Sequence, residues 1–517
     1  MNWFLRQGDK ERGRQGETRV ASEPPYLLVS LSPCLRSLVI GAALLVAGCA
    51  SDDSQPTPPP VSRASVALRV LVVNEPELAA AIERLRGEWA ERLGGSLTAE
   101  AKPWSEVAAA DSLDADVILF PSRYMGELCT RGWLRPVRSN VLEDAEFNAD
   151  DIFPLVRRKL INWGGQTMAL PLGVDLPVMC FRVERFEWVH RRPPETWKDY
   201  GQQILPENAP KIEQPSSTLP ATWEPFYTWS APLLLVRVAS YSAPADGSVL
   251  FDPKSMKPRI TEPPFVRALT ELSQVDSFKR IGDPRDDSDR KLREPEAASW
   301  QVATGYAMFT AIGLPPSGHR RIVREHAKLA PSDGSERIGW MQLPGTLEHY
   351  DSALQSWEHE SSIRRVPLLG VGDRLIAVTA SSRNAASSFK LLAWLASAEV
   401  SSQLARTGAG TMPVRKSLAT APAWYDSKLN SPERSQLGGL LGTALASPQH
   451  LLVPRIPGID EYLGTIDKAV QDVVLLKNTD PQSALKRAAQ EWEAITNRLG
   501  REKQREAYLK HLNISEP

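Results

Sequence analysis

The sequence lacks the local signatures by which most enzymes announce themselves. No Gly-x-Gly-x-x-Gly follows a strand, there is no Walker-type phosphate loop, and no Gly-x-Ser-x-Gly elbow appears. The seven histidines are scattered, with neither a His-Glu-x-x-His nor a zinc-ligand spacing. The acidic run Asp283 to Asp289 lacks the Gly and the terminal Glu of a calcium loop, so it reads as a solvated surface segment. Paired carboxylates for sugar hydrolysis would leave no local mark, and none supports them. The expectation is a protein that is not an enzyme and needs no metal or cofactor. Net charge is also missing: 61 Lys and Arg face 62 Asp and Glu, a balance of -1. That argues against a nucleic-acid partner, which calls for a basic stripe. After residue 48 no apolar stretch approaches membrane length.

Cysteine is scarce too, at four in 517 residues. Cys49 is the informative one. An apolar run from Ser37 to Gly48 follows Arg36 and closes in Val46-Ala47-Gly48-Cys49. A positive residue, roughly 7–15 apolar residues and small residues before a cut describe a secretory signal. A membrane anchor would need ~20 apolar residues. Val-Ala-Gly-Cys resembles the lipobox of bacterial lipoproteins. The resemblance implies that residues 1–48 are removed and that Cys49 is lipidated as the new N-terminus. Residues 49–65 carry Pro56, Pro58, Pro59 and Pro60 among polar residues, a stiff extended linker. The chain is therefore expected outside the cytoplasm, in the periplasm or at the cell surface, tethered to a membrane by lipid. Cys34 leaves with the signal. Cys129 and Cys180 are either a disulfide or two buried thiols, and their spacing does not decide.

The remainder is long enough for two domains and has an ordinary globular balance, 42% hydrophobic and 24% charged. Fifteen tryptophans exceed twelve phenylalanines, a supply of flat faces compatible with sugar stacking, though most belong to a core. Ala67 to Val73 reads as a buried strand. Leu78, Ile82, Leu85, Trp89 and Leu93 then follow at helical spacing, and Gly94-Gly95 closes the helix. Asp116 to Phe120 is a second strand, followed by a helix to about Arg131. Strand, helix, strand, helix implies a βαβ unit and a parallel sheet. Thr196 is the expected cap of the next helix. Residues 205–222, the charged segment Asp283 to Glu294, and the polar stretch 345–364 read as loops, the last as mobile. Leu375 to Thr379 is a strand, and Ser381 to Ser397 an amphipathic helix. Pro481 opens a helix behind Asp480, with Leu485, Ala488, Trp492, Ile495 and Leu499 on one face and Gly500 at its end. The charged tail 501–517 is expected to fray.

Several segments in order resemble bacterial extracellular solute-binding proteins of the carbohydrate type, the family that includes maltose-binding proteins. They are Ala115 to Pro121 with Gly132-Trp133-Leu134-Arg135-Pro136; Trp163 to Pro171 with Asp175; Pro193-Pro194-Glu195-Thr196-Trp197; Ala303 to Met308; Thr411 to Ser417; and Ile456-Pro457-Gly458 with the Trp492 helix. The resemblance spans nearly all of 66–500. It implies an α/β, two-lobed periplasmic-binding-protein fold of type II, with lobe 1 over 66–173 and 366–415 and lobe 2 over 176–365 and 416–500. The hinge would lie near Asp175 and residue 366, and the lobes would close over ligand.

A sugar site needs aromatic planes beside Asp, Glu, Asn or Arg, at the carboxyl ends of parallel strands. Asn74 and Glu75 follow the first strand; Phe120, Ser122 and Arg123 end the second; Asp175 stands at the expected hinge; Tyr306 lies in the fourth resembling segment. Glu224-Pro225-Phe226-Tyr227-Thr228-Trp229 looks like the family's Glu-Pro-Tyr-Phe-Thr-Trp. That likeness implies Glu224 as hydroxyl acceptor and Phe226 as stacking face, with Trp229 in the core. Ser122 stands where the maltose proteins have Asp, and Ile312-Gly313-Leu314 where they have a stacking Trp. The role implied is a monomeric receptor that binds a sugar or related polar solute and hands it to ABC permease subunits. The alternative is a sensing or scaffolding lipoprotein of the same fold.

Overall fold

A computed structural model describes residues 66–145, 147–204, 222–244, 247–275, 310–314, 337–405, 411–425 and 429–514. The signal, Cys49, the linker, residues 205–221, the charged segment 283–294 and Tyr306 lie outside these residues; Thr222, the last residue of the expected loop 205–222, opens a strand.

Two principal sheets organise the chain. The first has the order β2-β1-β3-β14-β6, formed by Ser96–Lys102 (β2), Ala67–Val73 (β1), Val117–Pro121 (β3), Arg374–Val378 (β14) and Leu170–Gly173 (β6). Its two central strands, Val-Ile-Leu-Phe-Pro and Arg-Leu-Ile-Ala-Val, are buried at every position. Strands covered on both faces read as continuous apolar runs, as β3 does, whereas the edge strand β2 alternates polar and apolar residues. β1 pairs in parallel with β2 and β3, but β14 is antiparallel to β3 and β6. The sheet is thus mixed and not the fully parallel one expected. The reason is topological: the chain returns from the second sheet at the end where β3 stops, with Ser122 N–H donating to Asp373 O at 2.8 Å, so β14 runs back along β3.

The second sheet has the order β10-β7-β9-β8, from Ile338–Gln342 (β10), Val178–Arg182 (β7), Thr310–Gly313 (β9) and Thr222–Trp223 (β8). Residues 174–177 carry the chain from β6 to β7, and residues 365–373 carry it back to β14. On the return, Leu368–Leu369 (β13) pairs with Leu451–Leu452 (β15). A short hairpin of Asn162–Trp163 (β4) and Gln166–Thr167 (β5) flanks the first sheet's region.

The stretch 345–364, expected to be mobile, is a hairpin of Thr346–Asp351 (β11) and Ser356–Arg364 (β12). Its polar residues conceal the strand signal because neither face is wholly apolar. The tail is corrected too. Arg501–Leu512 is a helix that buries Gln504, Ala507, Tyr508, Leu509 and His511. It is tied down where Arg455, itself buried, donates to His511 Nδ1 and Leu160 O. The preceding helix, Pro481–Leu499, starts as expected: Asp480 accepts from Ser483 N–H at 3.0 Å, and Trp492 stacks on Phe251 at 4.6 Å. Cys129 and Cys180 are separate free thiols, the first pushed up to about 12 by burial.

Candidate functional site

The carboxyl ends of β1 and β3 and the start of β14 meet at one edge of the first sheet, and their side chains are tied to one another. Asn74, just past β1, adopts φ 61°, a left-handed turn that Asn tolerates. Its Oδ1 accepts the backbone N–H of Trp104 at 2.8 Å, which fixes the first residue of the helix Trp104–Ala109. The Trp104 ring then stacks on Tyr124, with centroids 3.9 Å apart and planes 9° from parallel. Glu75 receives Arg374 Nε on both carboxylate oxygens at 2.6 Å. Arg374 Nη1 is a buried donor with no partner among the described residues.

Ser122–Tyr124 is a single tight turn after β3. Arg123 donates from Nε to Asp460 Oδ1 at 3.0 Å, from Nη2 to the Tyr124 hydroxyl at 3.0 Å, and from Nη1 to Val371 O. The Tyr124 hydroxyl in turn donates to Asp460 Oδ2 at 2.6 Å. Burial pushes that phenol up to about 12, against the lowering pull of Arg123, so it remains a donor at neutral pH. Asp460 lies in the first turn of the helix Ile459–Gln471, which packs on the helices Ser230–Tyr241 and Pro481–Leu499. Asp467, two turns further on, accepts Ala231 N–H at 2.6 Å at the start of the helix Ser230–Tyr241. Burial pushes Asp467 up to about 6.

Asp373 joins the crossing segments. It is fully buried, and its oxygens accept the N–H of Asp175 at 2.7 Å and of Gly370 at 2.6 Å, with Ser122 Oγ at 3.5 Å. Gly372 is needed beside it: a Cβ there would lie 2.1 Å from Asp175 Oδ2. Burial pushes Asp373 up to about 6 despite these hydrogen bonds.

Adjacent to Asp460 and Trp104 opens a cavity of about 570 Å³, within the ordinary range for ligand pockets. Glu127, Arg131, Glu461 and Lys503 share its walls. An aromatic edge, three carboxylates, a guanidinium and an ammonium can meet the hydroxyls and the apolar faces of a polyhydroxylated solute. Among the described residues, no group of three His, Cys, Asp or Glu is placed to hold a metal ion.

Of the residues singled out in the sequence, the structure brings Asn74, Glu75, Ser122, Arg123 and Asp175 into this network. It places three elsewhere. Phe120 is a core residue of β3, 1% exposed, because β3 is covered on both faces. Glu224 is fully buried and accepts Tyr200 Oη at 2.9 Å and Arg237 Nη2 at 2.7 Å; the Arg237 guanidinium lies 4.4 Å over the Trp197 ring. Phe226 is likewise 1% exposed, edge-on to Tyr227. The resemblance carried the segment over, but here these side chains form a sealed cluster. Sequence reasoning missed Trp104, Tyr124, Asp373, Arg374 and Asp460. Trp104 and Tyr124 had a usable signal, an aromatic just after each of two strand ends. The partners of Ser122, Glu75 and Arg123 had none, being 251, 299 and 337 residues away.

No protein-family model matches the sequence, and no curated protein matches it. Solved structures do match. The sugar-binding protein MalE of the phytopathogen Xanthomonas citri aligns with a TM-score of 0.59 at 15% identity, covering 84% of this chain and 98% of that one. An ABC transporter solute-binding protein of Agrobacterium radiobacter K84, in complex with ribitol, aligns with a TM-score of 0.57 at 19% identity, covering 83% and 98%. Maltose-bound MalE3 of T. maritima aligns at 0.56 and 17% identity, covering 83% and 100%. The fold is therefore the α/β, two-lobed type II fold of periplasmic binding proteins, with a hinge between the lobes. Among the described residues no helix is long and apolar enough to cross a membrane.

Proposed function

We propose, from a fold shared with sugar-binding components of ABC transporters, that this chain is an extracytoplasmic receptor for a sugar or related polar solute. It takes the solute between its lobes and delivers it to ABC permease subunits, tethered meanwhile by a lipid on Cys49. The observation that carries this reading is Arg374. Its Nε is held by Glu75, while its Nη1 is a buried donor without a partner among the described residues, at the strand ends where α/β folds bind ligands. An unmatched buried donor costs about 1–3 kcal/mol, and a ligand hydroxyl would relieve it. The Trp104–Tyr124 stack beside Asn74 and the paired charges of Arg123 and Asp460 support the same chemistry. The solved relatives bound to ribitol and maltose make polyols and oligosaccharides the first probes to use.

Titration calorimetry of the chain against a panel of polyols, mono- and oligosaccharides tests the proposal. Saturable heat with one of them is expected, and it should fall at least tenfold on Arg374→Met. The absence of heat with every member overturns it. The lipid is tested separately: labelled fatty acid is expected on the wild-type chain and not on Cys49→Ala.

A further inference from the structure

A second cavity, of about 300 Å³, lies where the two crossing segments pass each other. Leu176 and Pro177 line it from the outgoing segment, Arg365 and Leu368 from the returning one, Val178 and Ile363 from the ends of β7 and β12 that these segments join, and Ala444 from the helix Ser431–Ala446. It shares no residue with the Arg123–Arg374 network. Its walls are mainly aliphatic side chains joined by the polar Gln342, Thr443 and Ser447, and the charged group among them is Arg365. Among the described residues, the outer arm of that guanidinium makes only long contacts with Glu195, 3.5 Å to the carbonyl and 3.9 Å to the carboxylate. The Glu195 side chain is 54% exposed, so water screens that ion pair. Arg365 Nε, by contrast, is buried and has no partner among the described residues.

A chamber with a mainly aliphatic wall and one unmatched cationic donor is complementary to a short hydrocarbon body ending in an anion. We propose that this cavity binds a small aliphatic carboxylate. The carboxylate accepts from Arg365 Nε, and the chain lies among Leu176, Val178, Ile363 and Leu368. A six-carbon acid fits the volume. Because the walls come from both crossing segments, an occupant ties them together and damps the hinge. The inference does not depend on what the interlobe site binds.

The test uses the full chain and three probes of equal length: sodium hexanoate, 1-hexanol and hexylammonium chloride. Calorimetry is expected to give hexanoate at least about tenfold tighter than hexanol, as a charge-assisted hydrogen bond requires, and hexylammonium weakest. Hexanoate is also expected to slow amide exchange in 176–178 and 363–368. Arg365→Gln should reduce hexanoate to the level of hexanol and leave hexanol unchanged. If that variant does not fold, the wild-type ranking still decides. Equal binding of the three probes overturns the proposal, as does no saturable binding of hexanoate. Unchanged exchange in both crossing segments removes the hinge coupling.

Discussion

Each sheet region of this molecule holds an arginine–glutamate pair, and the two pairs differ in exposure and in how many of their donors are met. Arg237 and Glu224, beside the second sheet, are sealed: their side chains are 2% and 0% exposed. Arg237 donates to Glu224 and to Leu233 O, and its plane rests on Trp197. Arg374 and Glu75, at the open end of the first sheet, are 7% and 21% exposed, and one guanidinium nitrogen is left over. A pair whose donors are met holds the fold. A pair with a donor to spare, at the ends of strands, can hold something else. Residue type alone does not separate these roles; the count of satisfied groups does.

The largest effect should come from the sealed pair. Arg237→Met leaves Glu224 uncompensated in the interior and is expected to cost about 3–5 kcal/mol in urea unfolding, while Arg237→Met with Glu224→Leu recovers most of it. A loss below about 1 kcal/mol for the single variant would erase the contrast between the pairs. Next in size is a pH effect at the crossing. Asp373 has a folded value of about 6 against about 3.9 unfolded, so the folded state holds the proton more tightly. Stability should therefore rise as pH falls from 6 towards 4 and drop as pH rises through 6, by about 2–3 kcal/mol. Asp373→Asn should flatten that slope, with Asp467 keeping part of it. Urea midpoints at pH 4.5, 5.5 and 7 measure this, and an unchanged slope would reject the assignment.

Arg374→Met sharpens the comparison from the other side. It should lower solute affinity at least tenfold, while costing only about 1–2 kcal/mol of stability, since Glu75 keeps contact with water. Equal damage to folding at Arg237 and Arg374 would mean that both pairs are scaffold. The smallest effect is at Arg123 and Asp460, 22% and 47% exposed. Asp460→Asn should cost at most about 1 kcal/mol, and raising salt should shrink the difference.

Much of the fold is legible without coordinates. The strand from Ala67, the Asp480–Pro481 start and the Gly94 stop are local events, set by side-chain caps and backbone freedom. Thr196 caps its helix as read, its Oγ1 accepting Asp199 N–H at 3.1 Å. The hairpin β11–β12 and the last helix were not legible. Both expose polar residues on one side while burying others through contacts made at a distance. The direction of β14 also escaped, because a strand's own residues do not say from which end the chain re-enters a sheet.

The site divides in the same way. Asn74, Glu75, Ser122 and Arg123 could be chosen from the sequence because the residues after a buried strand stand at a sheet edge. Phe120 could not be told from a ligand platform until the helices over β3 were in place. Glu224 could not be told from a sugar acceptor until the helix Ser230–Tyr241 brought Arg237, thirteen residues on, back to it. The amino-acid order determined which segments are strands and helices, since hydrophobic period and capping act over a few residues. Only the tertiary structure decided which charges are satisfied inside the protein and which are not, because desolvation and hydrogen-bond partners are set by residues from 13 to 337 positions apart.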